Sequence, residues 1–150
     1  MKQSLIPVKV DARWVLLDAT LVREIRGGEP WLPIPQARAE LPGVMAWRGR
    51  AIPLVDLAYW FGRHRLELRE VRPRTLVVAH DAGIVALPVD SVREVLTVTS
   101  NDLTPAHGSR APYSQLELDL NGSLMPLVDL KAILNDLVES ASHEGSDAAR

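Results

Sequence analysis

An internal repeat limits the folds available to this chain more than any other feature of its sequence. When the chain is shifted by 70 residues, Val8 aligns with Val78, and eight of the eighteen residue pairs that start there are identical. A shift of 73 residues aligns the phrase Pro-Leu-Val-Asp-Leu at 53–57 with its second copy at 126–130. Each half of the 150-residue chain therefore encodes most of the same structural unit.

Each copy of the repeat has the pattern of short β-strands joined by tight turns. Apolar runs at 76–78 and 84–87 flank the turn sequence at 81–83, and the first half has the same arrangement. A second hairpin is predicted at 43–55 and at 115–128, and its second copy contains Asn-Gly, a strong signal for a two-residue turn. Four to five short strands in each half predict a small barrel.

The repeated phrase is typical of a strand that ends where a helix begins. Proline cannot donate a hydrogen bond to a strand ladder, so Pro53 and Pro126 predict edge positions or bulges. Asp56 and Asp129 are then suited to cap the helices that begin one residue later, each cap being worth about 1 kcal/mol. We interpret both aspartates as caps rather than catalytic groups. One further helical turn is predicted around 36–40.

The domain organisation follows from the repeat. We expect one domain over residues 1–138, made of a subdomain at about 3–62 and a second at about 75–138, with strands that can exchange at the join. The arginine-rich segment 63–74 is predicted to be a solvated connection. Residues 139–150 are predicted to form a disordered polar tail.

Composition excludes several classes of function. Without cysteine, the chain has neither a disulfide framework nor a thiolate nucleophile. The four histidines lack metal-ligand spacing, and nucleotide-binding and hydrolase motifs are absent from the sequence. No apolar run approaches the ~20 residues that span a bilayer, and the N-terminus lacks the apolar core of a signal peptide. We therefore expect a cytoplasmic protein that is not an enzyme and uses neither a metal nor another cofactor.

Three segments resemble the CheW family, the adaptors of bacterial chemosensory arrays. They are Val-Arg-Glu-Ile-Arg-Gly at 22–27, the run from Gly43 to Leu57, and Val-Asp-Ser-Val-Arg-Glu-Val-Leu at 89–96. The resemblance covers about residues 3–138. It implies a mainly β fold with two SH3-like five-stranded β-barrel subdomains, short helices and a C-terminal helix.

The same resemblance implies a non-catalytic adaptor that couples chemoreceptors to a CheA-type histidine kinase. The implied partners are the regulatory domain of that kinase and the cytoplasmic tip of a methyl-accepting chemoreceptor, which would recruit the protein to membrane-associated arrays. We expect neither nucleic-acid binding nor direct membrane insertion. The alternative is a small-barrel nucleic-acid-binding protein that uses the arginine-rich region 48–74, although that region lacks an aromatic stacking platform.

Candidate partner-binding residues come from the resemblance and from strand spacing. The resemblance implies contacts at Val22, Glu24 and Arg48, although Ala and Trp precede Arg48 where the family pattern has Asn and Leu. Arg26 is expected on the same strand face as Glu24, since it lies two residues further along. Burial is the default for Trp47, but its place beside the Arg-Gly turn would suit an interface if its indole is exposed.

Arg48 occupies the turn position that Asn121 holds in the other repeat. Asn tolerates the positive φ of a type I′ turn, and Arg does so less well. Either Arg48 makes a functional contact, or the turn is longer and relaxed.

An apolar groove is expected where the two halves meet. A receptor tip is a helical hairpin, and helices dock by laying an apolar stripe into a groove. The groove is predicted to be lined by some of Val22, Leu76, Val92 and Leu96.

Overall fold

Thirteen β-strands and two short α-helices form the framework of the part of the chain that the computed structural model describes. The described residues are 1–35, 41–61, 70–81, 83–106 and 113–137. The helical turn predicted around 36–40 and the polar tail predicted at 139–150 lie outside these residues.

The strands follow the hairpin pattern of the sequence. In chain order they are β1 (Lys2–Val10), β2 (Arg13–Asp18), β3 (Val22–Gly27), β4 (Leu32–Pro33), β5 (Gly43–Trp47), β6 (Arg50–Leu54), β7 (Arg74–His80), β8 (Gly83–Val89), β9 (Ser91–Val92), β10 (Leu96–Thr99), β11 (Leu103–Pro105), β12 (Leu116–Leu120) and β13 (Ser123–Leu127). Helix α1 (Leu57–Phe61) follows β6, and helix α2 (130–137) follows β13.

The strands form two sheets with corresponding strand orders. The seven-stranded sheet has the order β10-β1-β2-β13-β12-β11, with β9 also paired to β1, and the six-stranded sheet has the order β3-β7-β8-β6-β5-β4. Each strand of one sheet occupies the same position in the strand order as its repeat counterpart does in the other sheet. The mainly β fold of two related units is thus confirmed. In detail the units differ from closed five-stranded barrels, because no ladder between described residues joins the outermost strands of either sheet.

The two halves of the chain exchange their first hairpins. The β1–β2 hairpin lies in the seven-stranded sheet among strands of the second half, and the β7–β8 hairpin lies in the six-stranded sheet among strands of the first half. The Val128 amide donates to the Leu16 carbonyl at 2.9 Å, and the Val55 amide donates to the Ala86 carbonyl at 2.8 Å. These two hydrogen bonds are repeat counterparts, so the exchange is the same on both sides.

The repeated prolines lie in strands that are internal in the sheet order. The parallel pairing of β6 with β8 consists of Leu54 opposite Ala86, one residue after Pro53. Pro126 likewise precedes Leu127, the residue of β13 that pairs with β2. Each proline therefore comes one residue before the parallel pairing with the neighbouring strand, β8 or β2. Its missing N–H costs no hydrogen bond to that strand. The expected edge position is wrong by strand order, because β6 and β13 each lie between two other strands.

Both predicted helix caps are present. The Ala58 amide donates to Asp56 Oδ1 at 3.0 Å, and the Ala132 amide donates to Asp129 Oδ1 at 3.1 Å. Each carboxylate satisfies a donor in the first helical turn, which has no partner within the helix.

Three apolar clusters form the core. One lies within the six-stranded sheet and includes Met45 and Ile52, and another lies within the seven-stranded sheet and includes their repeat counterparts Leu118 and Met125. The third, which we call the central core, joins residues of both sheets and both helices. Each sheet therefore has its own core, and the central core holds the two units together.

Candidate functional site

A β-bulge directs Glu24 towards the core side of the six-stranded sheet. Along β3, Val22 pairs with Val78, but Glu24 pairs with Val77, so that Arg23 is an extra residue in the ladder. Val78 belongs to the central core, whereas Val77 belongs to the core of the six-stranded sheet. Because paired residues lie on the same face, the bulge moves Glu24 to the face that carries Val77.

Glu24 is the centre of a polar group that we call the Glu24 cluster, formed by Glu24, Arg26, Glu29, Trp47 and Arg48. The Trp47 indole donates from Nε1 to Glu24 Oε2 at 2.8 Å. Arg26 Nε lies 3.8 Å from Glu24 Oε1 and 3.0 Å from Glu29 Oε1, and Arg48 Nη2 lies 3.8 Å from Glu24 Oε2. The structure thus brings together four of the predicted partner-binding residues.

The Glu24 cluster also reveals how strongly the six-stranded sheet is curled. Glu24 lies on β3, and Trp47 lies on β5, four positions away in the strand order. In a flat sheet that separation would be roughly 19 Å. The 2.8 Å hydrogen bond between the two side chains therefore brings β3 close to β5, although no ladder between described residues pairs these strands.

Arg48 lies in a tight turn, which excludes the longer, relaxed turn that the sequence left open. Trp47 pairs with Arg50, so the loop contains two residues, and these have positive φ angles of 48° at Arg48 and 75° at Gly49. Asn121 has a φ of 54° at the equivalent position. Arg48 thus adopts a conformation that costs an ordinary L-residue roughly 1–2 kcal/mol. Its guanidinium lies 4.9 Å from the centre of the Trp47 ring.

The Trp47 indole is buried, as is the default for a tryptophan, and the alternative of an exposed indole is excluded. Trp47 is 8% exposed and Trp31 is 6% exposed, and both pack in the core of the six-stranded sheet. A Cβ atom at Gly43 would lie 2.2 Å from the Leu32 carbonyl oxygen and 2.4 Å from the Trp31 ring. The glycine of the Gly-Val segment is therefore required by the close packing of Trp31.

The four predicted groove residues lie in two places. Val22 and Val92 are half-buried at equivalent positions against the central core, while Leu96 packs on the core of the seven-stranded sheet. Leu76 is fully buried, with 0% of its surface exposed, so direct contact with a partner is closed to it in this conformation.

An apolar cleft of 320 Å³ does lie where the two halves meet. It is bounded by β6 and β8 of the six-stranded sheet and by helix α2 of the second half. None of the four predicted groove residues lines it. Its apolar lining includes Ile52, Pro53, Ile84, Val85, Leu134 and Leu137.

A buried ion triad was missed by sequence reasoning. Arg72 is 4% exposed, and its Nη1 atom donates to Asp11 Oδ1 at 2.9 Å and to Asp90 Oδ1 at 3.0 Å. Burial lowers the pKa of Arg72, but hydrogen bonds and charge from the two carboxylates outweigh that effect and raise it above its ordinary value. The expectation that segment 63–74 is solvated is therefore wrong at Arg72. Sequence reasoning could not find the triad, because its three members are far apart in sequence.

Other kinds of site receive no support from the described residues. Among them, no group of three or more His, Cys, Asp or Glu side chains is placed to hold a metal ion. Within the same described residues, no helix is long and apolar enough to cross a membrane.

Comparison with known proteins agrees with the sequence and the fold. The CheW-like domain model matches residues 4–138. The chain is 31% identical over 135 residues to "Chemotaxis protein CheW" of Rhizobium meliloti (strain 1021), covering 87% of this chain and 86% of that protein. It is 26% identical over 137 residues to the protein of the same name from Thermotoga maritima, covering 89% of each.

A solved structure shares the fold. It is the scaffolding protein TtCheW from Thermoanaerobacter tengcongensis, with a TM-score of 0.72 and 19% sequence identity. The match covers 85% of this chain and 89% of that one.

Proposed function

This chain belongs to the CheW-like domain family, and on that premise we propose that it is a non-catalytic adaptor of a chemosensory array. It joins the regulatory domain of a CheA-type histidine kinase to the cytoplasmic tip of a chemoreceptor. It acts in the cytoplasm and reaches the membrane-associated array through these partners. The curated relatives are named as chemotaxis proteins, which supports the pathway.

The Glu24 cluster is the observation that carries this proposal beyond the family match. The cluster combines a strained turn, a curled sheet edge and several charges at residues that the resemblance links to partner contacts. Arg48 is 73% exposed at the side chain, and Glu24 and Arg26 are each about one-third exposed, at 34% and 32%. The charges are therefore accessible to a partner, while the buried indole beneath them fixes their positions.

The repeat supports two different contacts for one adaptor. The counterparts of Arg26, Trp47 and Arg48 in the second half are Leu96, Leu120 and Asn121. The two units thus share a backbone arrangement but present a charged surface on one side and a less charged one on the other. Such a difference in surface charge suits a protein that binds two unlike partners, because each surface can then be specific for one of them.

Co-sedimentation tests this proposal. Receptor cytoplasmic fragments arrayed on vesicles are mixed with the kinase from the same organism, with and without this protein. We expect the kinase to sediment with receptors only when the protein is present. Arg48→Ala should weaken this bridging while leaving the melting temperature nearly unchanged, because exposed substitutions usually stay within about 0.5 kcal/mol.

Two results would contradict the proposal. The first is that the wild-type protein binds neither receptor nor kinase. The second is that it binds generic RNA or DNA in a salt-sensitive gel shift, which would favour the nucleic-acid alternative. Arg72 cannot contribute to such a basic patch, because it is buried and paired with two aspartates.

A further inference from the structure

We infer that Trp47 is a positioning residue that determines how Arg48 is presented to a carboxylate on the partner. The inference rests on the proposed function, since it concerns the same surface. Trp47 itself makes no large contact with a partner, because it is only 8% exposed. The inference also gives a physical meaning to the tryptophan that stands before Arg48.

The first step is the difference between the distances of Trp47 and Arg48 to one oxygen atom of Glu24. The Trp47 indole Nε1 donates to Oε2 at 2.8 Å, whereas Arg48 Nη2 lies 3.8 Å from the same atom. Charge-assisted hydrogen bonds between guanidinium and carboxylate are about 2.7–2.9 Å long. Arg48 is therefore attracted by Glu24 but is not hydrogen-bonded to it, and the hydrogen bond at this oxygen comes from the indole.

The second step is the placement of the guanidinium over the ring. The carbon at the centre of the Arg48 guanidinium lies 4.9 Å from the centre of the Trp47 ring, within the range of a cation–π contact. The ring is held by the core of the six-stranded sheet and by its own hydrogen bond to Glu24. A buried, doubly fixed ring thus gives an exposed guanidinium a preferred location.

The third step is the chemistry of the partner. A guanidinium carries five N–H donors in a planar fork, which matches the two oxygens of a carboxylate. With 73% of its side chain exposed, Arg48 can offer this fork to a partner without first breaking a hydrogen bond to Glu24. We therefore assign an aspartate or glutamate side chain of the partner as the group that Arg48 binds.

Trp31 provides a matched control for Trp47. It packs in the same core, is almost as buried at 6% exposed, and also uses its indole nitrogen, which donates to the Glu70 carbonyl at 2.6 Å. Replacing either tryptophan with phenylalanine removes an indole donor and leaves an aromatic ring in the core. Only the Trp47 replacement changes the surroundings of Glu24 and Arg48.

The binding experiment measures the affinity of the wild-type protein, Trp47→Phe and Trp31→Phe for the receptor–kinase assembly described above. We expect Trp47→Phe to lower the affinity about fivefold to tenfold, the effect of losing part of one charge-assisted interaction, while Trp31→Phe has little effect at equal folded fraction. In an Arg48→Ala background, Trp47→Phe should have almost no further effect. The inference would be overturned if Trp47→Phe lowered the affinity by the same factor with Arg48 present and with Arg48→Ala. It would also be overturned if Trp47→Phe and Trp31→Phe lowered the affinity equally.

A second measurement needs no partner and keeps the inference separate from the proposed function. In nuclear magnetic resonance spectra, Glu24→Gln should shift the Trp47 indole N–H signal and leave the Trp31 signal in place. No shift at Trp47 would overturn the inference whatever binds. If the shift is seen but the wild-type protein binds no receptor or kinase, the proposed function fails and the partner assignment for Arg48 fails with it.

Discussion

Arg48 holds a backbone conformation that its side chain disfavours, and its repeat counterpart shows the easier solution. Asn121 has nearly the same φ, 54° against 48°, in a turn that also continues with glycine. Asparagine accepts this conformation with less strain because its short polar side chain can hydrogen-bond locally. The arginine is therefore best explained by the Trp47 ring and Glu24, which it contacts, and by the partner carboxylate that we propose for it.

Arg48→Asn separates turn geometry from binding. Relief of roughly 1 kcal/mol of strain should offset the lost cation–π contact and the weak ion pair with Glu24, so the free energy of unfolding should change by less than about 1 kcal/mol. Binding to the receptor–kinase assembly should fall as far as in Arg48→Ala. Urea denaturation and a binding titration check the two halves of this prediction. A loss of stability above about 2 kcal/mol would place Arg48 among the structural residues.

Single residues were the least predictable part of this protein. The spacing of Glu24 and Arg26 correctly indicated one strand face, but it could not reveal the bulge at Arg23 that decides which core that face meets. Burial of Trp47 is the default for a tryptophan and was correct, but nothing in the sequence indicated the hydrogen bond from its indole to Glu24. Both facts depend on how the sheet curls, which no local pattern contains.

At the scale of elements, the Arg72 triad links the chain before β7 to two other segments. Asp11 lies in the β1–β2 turn, and Asp90 follows β8 and also accepts a hydrogen bond from the Asp11 amide at 2.8 Å. The turn belongs to the seven-stranded sheet, whereas β7 and β8 belong to the six-stranded sheet. The triad therefore fixes the exchanged hairpins relative to each other.

Arg72→Ala should destabilise the protein by about 3 kcal/mol, because it leaves two partly buried carboxylates without their shared cation. Arg74→Ala is the control, since Arg74 lies two residues away and is exposed, and it should change stability by less than about 0.5 kcal/mol. Urea denaturation at neutral pH compares them. Equal effects of the two substitutions would mean that the triad contributes little.

The turn between β10 and β11 gives a pH-dependent prediction. The backbone N–H of Thr99 donates to Asp102 Oδ2 at 2.7 Å and its hydroxyl donates at 3.0 Å, and these bonds lower the pKa of Asp102. A carboxyl group whose pKa falls on folding stabilises the fold above its ordinary pKa, and this stabilisation is lost as pH drops through the folded value.

Asp102→Ala should therefore lower the melting temperature at pH 7, and the difference from wild type should shrink in acid. Melting curves from pH 7 down to about pH 3 test this, as long as both proteins remain folded. A difference that stays constant across this range would show that the carboxylate charge is not what stabilises the turn.

Elements were easier to predict than residues. Hairpins, helix starts and caps follow from turn sequences and from one repeated phrase, because these depend on neighbours along the chain. Partners in different elements were not predictable in the same way. Arg72 lies in an arginine-rich run that reads as solvent-exposed, and nothing in the sequence connects it to Asp11 or Asp90.

At the scale of the whole molecule, hairpin exchange makes the two halves of the chain depend on each other. Each sheet contains strands from both halves, and the central core includes residues from both sheets and both helices. The repeat predicted two related units, and the matching strand orders of the sheets agree with that prediction. The strand exchange is the same on both sides, as the equivalent hydrogen bonds from Val55 and Val128 show.

The two sheets should therefore unfold in one cooperative transition. Trp14 reports on the seven-stranded sheet, while Trp31 and Trp47 report on the six-stranded sheet. Fluorescence from variants that keep only Trp14, or only Trp31 and Trp47, should give the same urea midpoint as circular dichroism of the same variant. A fluorescence midpoint that differs from the circular dichroism midpoint of the same variant would show that one unit can persist without the other.

The most direct test of the Glu24 cluster as a partner site is a calorimetric titration of the receptor–kinase assembly with Arg48→Ala and Arg93→Ala. Arg93 is also an exposed arginine over a tryptophan, 4.0 Å from the centre of the Trp14 ring, but it follows β9 of the seven-stranded sheet and lies outside the Glu24 cluster. We predict that Arg93→Ala binds like the wild-type protein and that Arg48→Ala binds at least about tenfold more weakly. Equal affinities for the two variants would contradict the assignment of the Glu24 cluster as a partner site.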